Sequence, residues 1–387
     1  MNKNIIKAMA AGVLTLGLVS CENSEVEFPD YEGGVTVYFA YQTPVRSMML
    51  GTDDLGSTAD NDSRTCKIYG TMGGAYNGKD IKVEVAVDNG LCDNLYFDPA
   101  CTKPVEAMPA SYYQLSGNTL NYNGDIKGGV EVKLTDAFFA DPKACTVNYV
   151  IPVVMKSQTG ADHILTGELA PGIDAANRLD GDSWSVAPMD YVLYCVKYVS
   201  KYEGYYLPMG TITTTANGKS ATKELKYESW ERVPSGEILY FKTIGENTVT
   251  MPIQVITTKT VTVNEGGVEV EKNLAREYNG TLALNFNGGT CTATSVGDGV
   301  WKHQEWNGSK VEDVTDVVKL NISGNGTYTD LSDKYEWAAK KRNGLQINVT
   351  AEWTADESAK YEANLDMALQ RRGQGNTVEE FTVTLKK

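Results

Sequence analysis

In Ile81-Lys82-Val83-Glu84-Val85-Ala86-Val87 a branched apolar residue stands at every second position, with Lys82 and Glu84 between them. Successive side chains of a strand project to opposite sides, so this alternation gives one buried and one wet face, the mark of an antiparallel sheet. Val130-Glu131-Val132-Lys133-Leu134 repeats it, and Val35-Thr36-Val37-Tyr38-Phe39-Ala40-Tyr41 carries apolar or aromatic residues at its odd positions. The run from Tyr149 to Met155 is more continuously apolar and contains Pro152. Proline removes a ladder donor, so that strand is expected at an edge or with a bulge there. Residues 158–188, rich in Gly, Asp and Ala, read as a long loop or hairpin excursion, and Tyr191 to Val199 as a strong strand that closes a first domain near Lys201. With 37 glycines and 22 tyrosines, the composition favours strands and turns over helices. Many short strands with frequent turns argue for a β-sandwich.

The second half is patterned the same way. Leu282, Leu284 and Phe286 alternate with polar or small residues and run into Asn287-Gly288, a two-residue hairpin signal. Leu345, Ile347, Val349, Ala351 and Trp353 share one face of a strand, and Ala363, Leu365, Met367 and Leu369 share one face of the next. Phe381, Val383 and Leu385 end the chain. Consecutive strands with short connections suggest an up-and-down meander curled toward a barrel, with a second sandwich as the alternative.

The N-terminus has a separate logic. Lys3 and Lys7 precede an apolar run from Ala8 to Val19, and Leu18-Val19-Ser20-Cys21 closes it. A positive segment, a short apolar segment and a small residue before cysteine read as a bacterial lipoprotein signal. The run is shorter than the roughly 20 residues that span a bilayer, so it is expected to be cleaved rather than kept as an anchor. Cys21 is then the acylated first residue of the mature chain, held by several acyl chains because one alone is marginal. Glu22-Asn23-Ser24-Glu25-Val26-Glu27 follows as a polar tether. The formal charge is −15, and loss of the two leader lysines leaves 33 basic against 50 acidic residues, or −17. A chain so acidic is a poor partner for nucleic acid, whose phosphates need clustered lysine and arginine.

Six cysteines remain besides Cys21. In an exported protein disulfides can form, and Cys92 and Cys101, which bracket a short loop, are the most plausible pair, with free thiols packed as small apolar groups as the alternative. No spacing is CxxC, so no zinc site is expected, and no other metal or cofactor is. The loops holding Asp53, Asp54, Asp60 and Asp62, and Asp174, Asp180 and Asp182, do not match a calcium-binding loop and read as solvated. Two histidines, His163 and His303, stand far apart with no metalloprotease helix and no nucleophile elbow. With no catalytic constellation in view, the chain is expected not to be an enzyme. Sugar binding asks for aromatic faces beside planar polar groups. Trp301-Lys302-His303-Gln304-Glu305-Trp306-Asn307-Gly308 is the best such stretch, and Trp230 beside Glu231 and Arg232 the second. Trp301, Trp306 and Trp230, with Tyr205 and Tyr206 at the domain boundary, are therefore the candidate glycan contacts.

Several blocks of the first domain carry a resemblance. They are Met72-Gly73-Gly74-Ala75-Tyr76, Val87-Asp88-Asn89 with Leu91-Cys92, and Met108-Pro109-Ala110-Ser111-Tyr112-Tyr113. Leu134-Thr135-Asp136-Ala137-Phe138-Phe139, Tyr149-Val150-Ile151-Pro152 and the stretch from Tyr191 to Tyr202 continue the series. Over residues 35–201 they resemble the N-terminal β-sandwich domain of a family of Bacteroidota surface lipoproteins, and the acidic tether resembles that group's surface-export signal. The resemblance implies a varied C-terminal module, lipocalin-like barrels among them, and a link to polysaccharide utilisation through a starch-utilisation-type outer-membrane transporter. It carries no site residues.

The expectation is an all-β chain: a signal at 1–20, a tether at 21–32, an immunoglobulin-like β-sandwich at 33–202, and an antiparallel lipocalin- or calycin-like barrel or second sandwich at 203–387. The expected function is non-catalytic glycan capture by a lipid-anchored protein on the outer face of the outer membrane, its partners a glycan, membrane lipid through Cys21, and the transporter. A fimbrial or adhesin subunit, processed after Arg46 or Arg64, is the alternative, with a glycoside hydrolase accessory behind it.

Overall fold

The computed structural model describes residues 30–51, 59–174, 176–372 and 379–387. Cys21, with the expected leader and most of the expected tether, lies outside the described residues, as do Asp53 and Asp54. The chain is all-β in both halves.

In the first half, sheet order runs His163–Ile164, Thr36–Tyr38, Thr65–Gly73, Lys127–Leu134, Thr119–Asn121, Lys82–Val87, Tyr149–Thr159, Tyr191–Val199, Pro44–Met49 and Glu379–Glu380. The sheet doubles over, so Ile68 and Val132 from one layer share a core with Val192 and Val196 from the other. The alternating stretches behave as their pattern dictates: Val83 and Val85 are buried and Lys82 and Glu84 exposed.

The Tyr149–Thr159 strand is central, not an edge. It pairs with Tyr191–Val199 on one side and Lys82–Val87 on the other. It is buried on both faces, Ile151 and Val153 in the main core and Val150 and Val154 in a second cluster, which explains the unbroken apolar run. Pro152 is tolerated because its pairing with 82–87 begins only at Val153. The Pro152 carbonyl accepts from the Asp88 N–H (2.9 Å). A residue's N and C=O point to the same side of a strand, so the proline nitrogen faces the gap just past that neighbour's end. The bulge in this strand lies further on, between Met155 and Ser157.

The second half is a closed barrel. Gly204–Ala216 pairs with Leu239–Gly245 on one side and with Ala359–Arg371 on the other, joining the first and last strands of the meander. Between them run Thr248–Glu265, Val268–Asn287, the consecutive short strands Thr290–Ser295 and Gly299–Trp306, then Val311–Trp337 and Lys340–Thr354. Closure removes the unpaired edges an open meander would expose. The interior is filled by side chains, Tyr206, Phe241, Tyr278, Leu320, Leu345 and Trp353 among them. Trp353 needs Gly299 opposite: a Cβ there would stand 2.5 Å from the indole Cδ1.

The end of the chain does not belong to the barrel, which corrects the expected 203–387 domain. Glu379–Glu380 adds to Pro44–Met49, and Thr384–Leu385 pairs with Leu95–Tyr96. Phe381, Val383 and Leu385 pack with Leu91, Leu95 and Val105 of the sandwich. The two halves also bond directly. Arg64 of the sandwich pairs with Glu246 of the barrel (2.7 Å), and Arg372 Nη2 donates to the carbonyls of Leu50 (2.7 Å) and Ser200 (2.9 Å).

Candidate functional site

The aromatic residues singled out in the sequence do not converge. Trp301 is 6% exposed and lies inside the barrel, stacked on His303 (3.7 Å between centroids). Trp306 stands five positions along the same strand, an odd offset that turns it to the opposite side. There Lys272 sits over its ring at 4.6 Å. Trp230 is half-buried against Tyr335, and its Nε1 donates to the Lys334 carbonyl (3.3 Å). Lys334 and the Trp306 partner Val311 lie near opposite ends of the Val311–Trp337 strand. Tyr206 is 0% exposed, its hydroxyl donating to the Tyr202 carbonyl. Tyr205 stacks on Tyr240, with Arg371 over its ring at 4.4 Å. Trp301 and Tyr206 thus offer no face to a sugar, because the barrel core needs their area.

Cys92 and Cys101 are both free thiols in the structure. Their loop is closed by other means: the Asp98 carboxylate accepts from the backbone of Thr102 and Lys103, and Phe97 N–H donates to the Lys103 carbonyl (2.8 Å). Burial pushes the Cys92 thiol up to about 12.

A more suitable site lies on the sandwich. Along Thr65–Gly73, Cys66, Ile68 and Met72 point inward, which turns Lys67, Tyr69 and Thr71 to the other face. On Lys127–Leu134, the inward residues Val130 and Val132 leave Lys127, Gly129 and Glu131 outward. Register sets Thr71 opposite Lys127, Tyr69 opposite Gly129 and Lys67 opposite Glu131. The Tyr69 ring lies across Gly129, where a Cβ would stand 2.9 Å from two ring carbons. The Cδ1–Cε1 edge of the ring is therefore packed close against the glycine, and Tyr69 remains 52% exposed.

Tyr41, 51% exposed, Arg46 and Tyr194 border the same hollow as Tyr69. Together they enclose a groove of about 650 Å³ with Cys66, Ile68 and Val192 in its lining. Its size falls in the range of small-molecule sites. The Tyr194 hydroxyl donates to the Lys67 carbonyl (3.0 Å), tying the two walls together. Arg46 is steadied by Asn61, whose Oδ1 accepts from Nη2 (2.8 Å) while its amide donates to the Met49 carbonyl. A second hollow of about 590 Å³, lined by Ser116, Asn121 and Asn123, shares Lys67, Tyr69, Lys127 and Glu131 with the first, so the two run together. Burial pushes the Cys66 thiol up to about 12, so it packs as a small apolar group rather than reacting as a thiolate.

The groove offers two exposed aromatic rings, amide and hydroxyl partners, cationic donors and one carboxylate, without a nucleophile–base pair. That set holds a polar ligand with apolar C–H faces. The signal for it was Lys67-Ile68-Tyr69 beside Lys127-Gly128-Gly129: a tyrosine on a wet strand face, across from a glycine, with lysines around it.

A family model described as a "-like, N-terminal domain" matches residues 30–162, which supply most of the groove. No curated protein matches the sequence. A crystal structure of a protein of unknown function from Bacteroides ovatus is 28% identical, covering 92% of this chain and 100% of that one with a TM-score of 0.72. The likeness spans both halves of the chain. A multidomain protein including DUF1735 from the same species is 9% identical over 86% of this chain and 93% of that one, at a TM-score of 0.38. A candidate carbohydrate binding protein from Bacteroides ovatus ATCC 8483 is 12% identical over 81% and 67%, at a TM-score of 0.25. At those scores the last two carry no argument about this chain.

Proposed function

We propose that this protein is a non-catalytic glycan-binding lipoprotein, tethered through acylated Cys21 to the outer membrane and facing the cell exterior, where it captures saccharides for a starch-utilisation-type transporter. The observation that carries the glycan reading is the pair of half-exposed rings, Tyr69 packed against Gly129 and Tyr41, lining one polar groove. A pyranose presents a C–H face to such a ring and hydroxyls to the amides and charges beside it. Each aromatic contact contributes roughly 0.5–1.5 kcal/mol beyond area, while millimolar affinity needs about 4 kcal/mol. Single sites of this kind are weak. Many tethered copies hold a polymer through avidity. The leader and Cys21 supply the anchoring part of the proposal.

The fimbrial alternative is less well supported. Processing after Arg46 or Arg64 would remove Val37 and Phe39, which are buried in the sandwich core. The exposed edge of Pro44–Met49, a candidate for strand addition, is taken in part by Glu379–Glu380 of the same chain.

Calorimetry of the intact mature protein against a panel of plant and host oligosaccharides tests the binding. Millimolar or tighter affinity for at least one, lost in Tyr69→Ala, is expected; a panel with no binder sinks the glycan reading. Metabolic labelling with a fatty acid, absent in Cys21→Ala, tests the anchor.

A further inference from the structure

The walls of the groove carry an imbalance of charge that the whole chain does not. The chain has 50 acidic and 35 basic residues. Arg46, Lys67 and Lys127 nevertheless stand around one groove with Glu131 as the lining carboxylate. Some lysines elsewhere meet acids, as Lys79 meets Asp30, Lys143 meets Glu106 and Lys223 meets Glu237, all within 2.8 Å, but here three cations gather at one place. Among the described residues none of the three groove cations makes an ion pair, although Glu131 lies directly across the strands from Lys67. The acid of the adjoining hollow, Asp125, is turned to its own backbone, its Oδ1 accepting from the Ile126 N–H (2.6 Å). The Lys127 ammonium stands over the Tyr69 ring, 5.9 Å from its centroid, so a sugar that stacks on that ring meets the cation directly.

Three cations gathered at one groove of an acidic protein supply donors that a neutral sugar does not need. Lysine presents a point charge, and arginine a planar fork that matches a carboxylate or sulfate. We propose that the groove takes an anionic oligosaccharide, its ring stacked on Tyr69 and its acid groups held by Lys67, Lys127 and Arg46. The proposal rests on the glycan reading above and adds the ligand's charge. Uronate and sulfate esters share the chemistry, and the experiment separates them.

The intact mature protein is titrated by calorimetry with an oligogalacturonate, its methyl-esterified counterpart, a chondroitin sulfate oligosaccharide, and neutral oligosaccharides of several linkages. The anionic ligands are expected to bind at least about tenfold tighter than the esterified one at low salt. That margin should shrink as salt shortens the screening length to roughly 3 Å near 1 M. Chondroitin binding that survives chemical desulfation identifies carboxylate as the recognised group, and binding lost on desulfation identifies sulfate. Lys67→Gln with Lys127→Gln should erase most of the margin while leaving the weak binding of the esterified ligand in place. Affinity for both anionic ligands no greater than for the ester and the neutral oligosaccharides overturns this inference and leaves the glycan reading standing. Binding of none of the ligands overturns both. The ester and salt comparisons use the unaltered chain, so a poorly folded variant would not blur the result.

Discussion

Arg276 holds Glu357 by two hydrogen bonds, Nε to Oε2 at 2.9 Å and Nη2 to Oε1 at 3.1 Å, where the barrel wall closes over the guanidinium. Lys259 joins the same carboxylate at 2.8 Å. These hydrogen bonds, against partial burial, pull the Glu357 carboxyl down to about 2 from its ordinary 4.5. A depressed carboxylate stabilises the fold fully above its unfolded value and loses that contribution as pH falls toward its folded value. The window here runs from about pH 4.5 down to about 2. Acid melts should therefore show Glu357→Gln losing less stability than the parent between neutral pH and about pH 3, by at most about 2 kcal/mol. At neutral pH the same variant should be weaker by about 3 kcal/mol, because Arg276 is left buried without its counterion. Parallel acid limbs for variant and parent would show that the pair does not govern this part of the stability curve.

The Tyr69 platform depends on an absent methyl group. Alanine at Gly129 would place its Cβ 2.9 Å from two carbons of the ring, which must then lift from the backbone. Gly129→Ala should weaken binding of a sugar ligand by about two- to tenfold, the worth of one aromatic contact. Thermal stability should barely change, since the ring is half in solvent. Gly117→Ala, where nothing lies within 4 Å, is the control. A Gly129→Ala protein that binds as well as the parent would mean the ring is not the contact.

Much of the fold was legible because period-two alternation reports directly on burial, and Ile81 to Val85 or Leu345 to Trp353 bury the sides their patterns require. The same arithmetic already separated Trp301 from Trp306. Five positions apart on one strand, they cannot share a face, and the stretch that looked richest in sugar contacts was half core. Pro152 misled for a different reason. A proline excludes a ladder bond on one side only, and the partner strand begins one residue later. Nothing local could announce the pairing of Gly204–Ala216 with Ala359–Arg371, since register between distant strands is set by the closed ring as a whole. The groove was hidden in the same way. Tyr69 and Gly129 are ordinary surface residues until register puts one across from the other.

The free cysteines lead to a redox prediction. Cys92, Cys66 and Cys195 are each pushed up to about 12 by burial, so little thiolate exists near neutrality to start disulfide exchange. The Cys92 loop is closed by the Asp98 and Phe97 hydrogen bonds and does not depend on a covalent link. Reductant should leave the melting temperature of the mature protein unchanged, and alkylation of these thiols should be slow until the chain is unfolded. A drop in melting temperature on reduction would reveal a disulfide. A 92–101 bond closes a loop of about ten residues, for which loss of the cross-link costs roughly 2–3 kcal/mol.

The last residues of the chain stabilise the domain made first. The Phe381 ring meets Phe97 edge-on with centroids 5.3 Å apart, and Lys197 pairs with Glu379 at 2.9 Å. Val383 and Leu385 close the same cluster over Leu91 and Leu95. Truncation after Arg372 should therefore loosen the sandwich while sparing the barrel, whose final strand ends at Arg371. Phe381→Ala alone should cost about 1–3 kcal/mol, less than a fully buried phenylalanine because the ring keeps some exposure. Hydrogen exchange gives the spatial test. Amides of Pro44–Met49 and Leu95–Tyr96 should lose protection in the truncated chain, and those of Lys340–Thr354 should not. Equal loosening of the barrel would mean that the tail supports both halves through the contacts of Arg64 and Arg372, and that they unfold as one unit. With the barrel spared, the sandwich is a fold completed only when the last residues arrive, so a chain stalled before Phe381 would present Leu95 and Val105 uncovered.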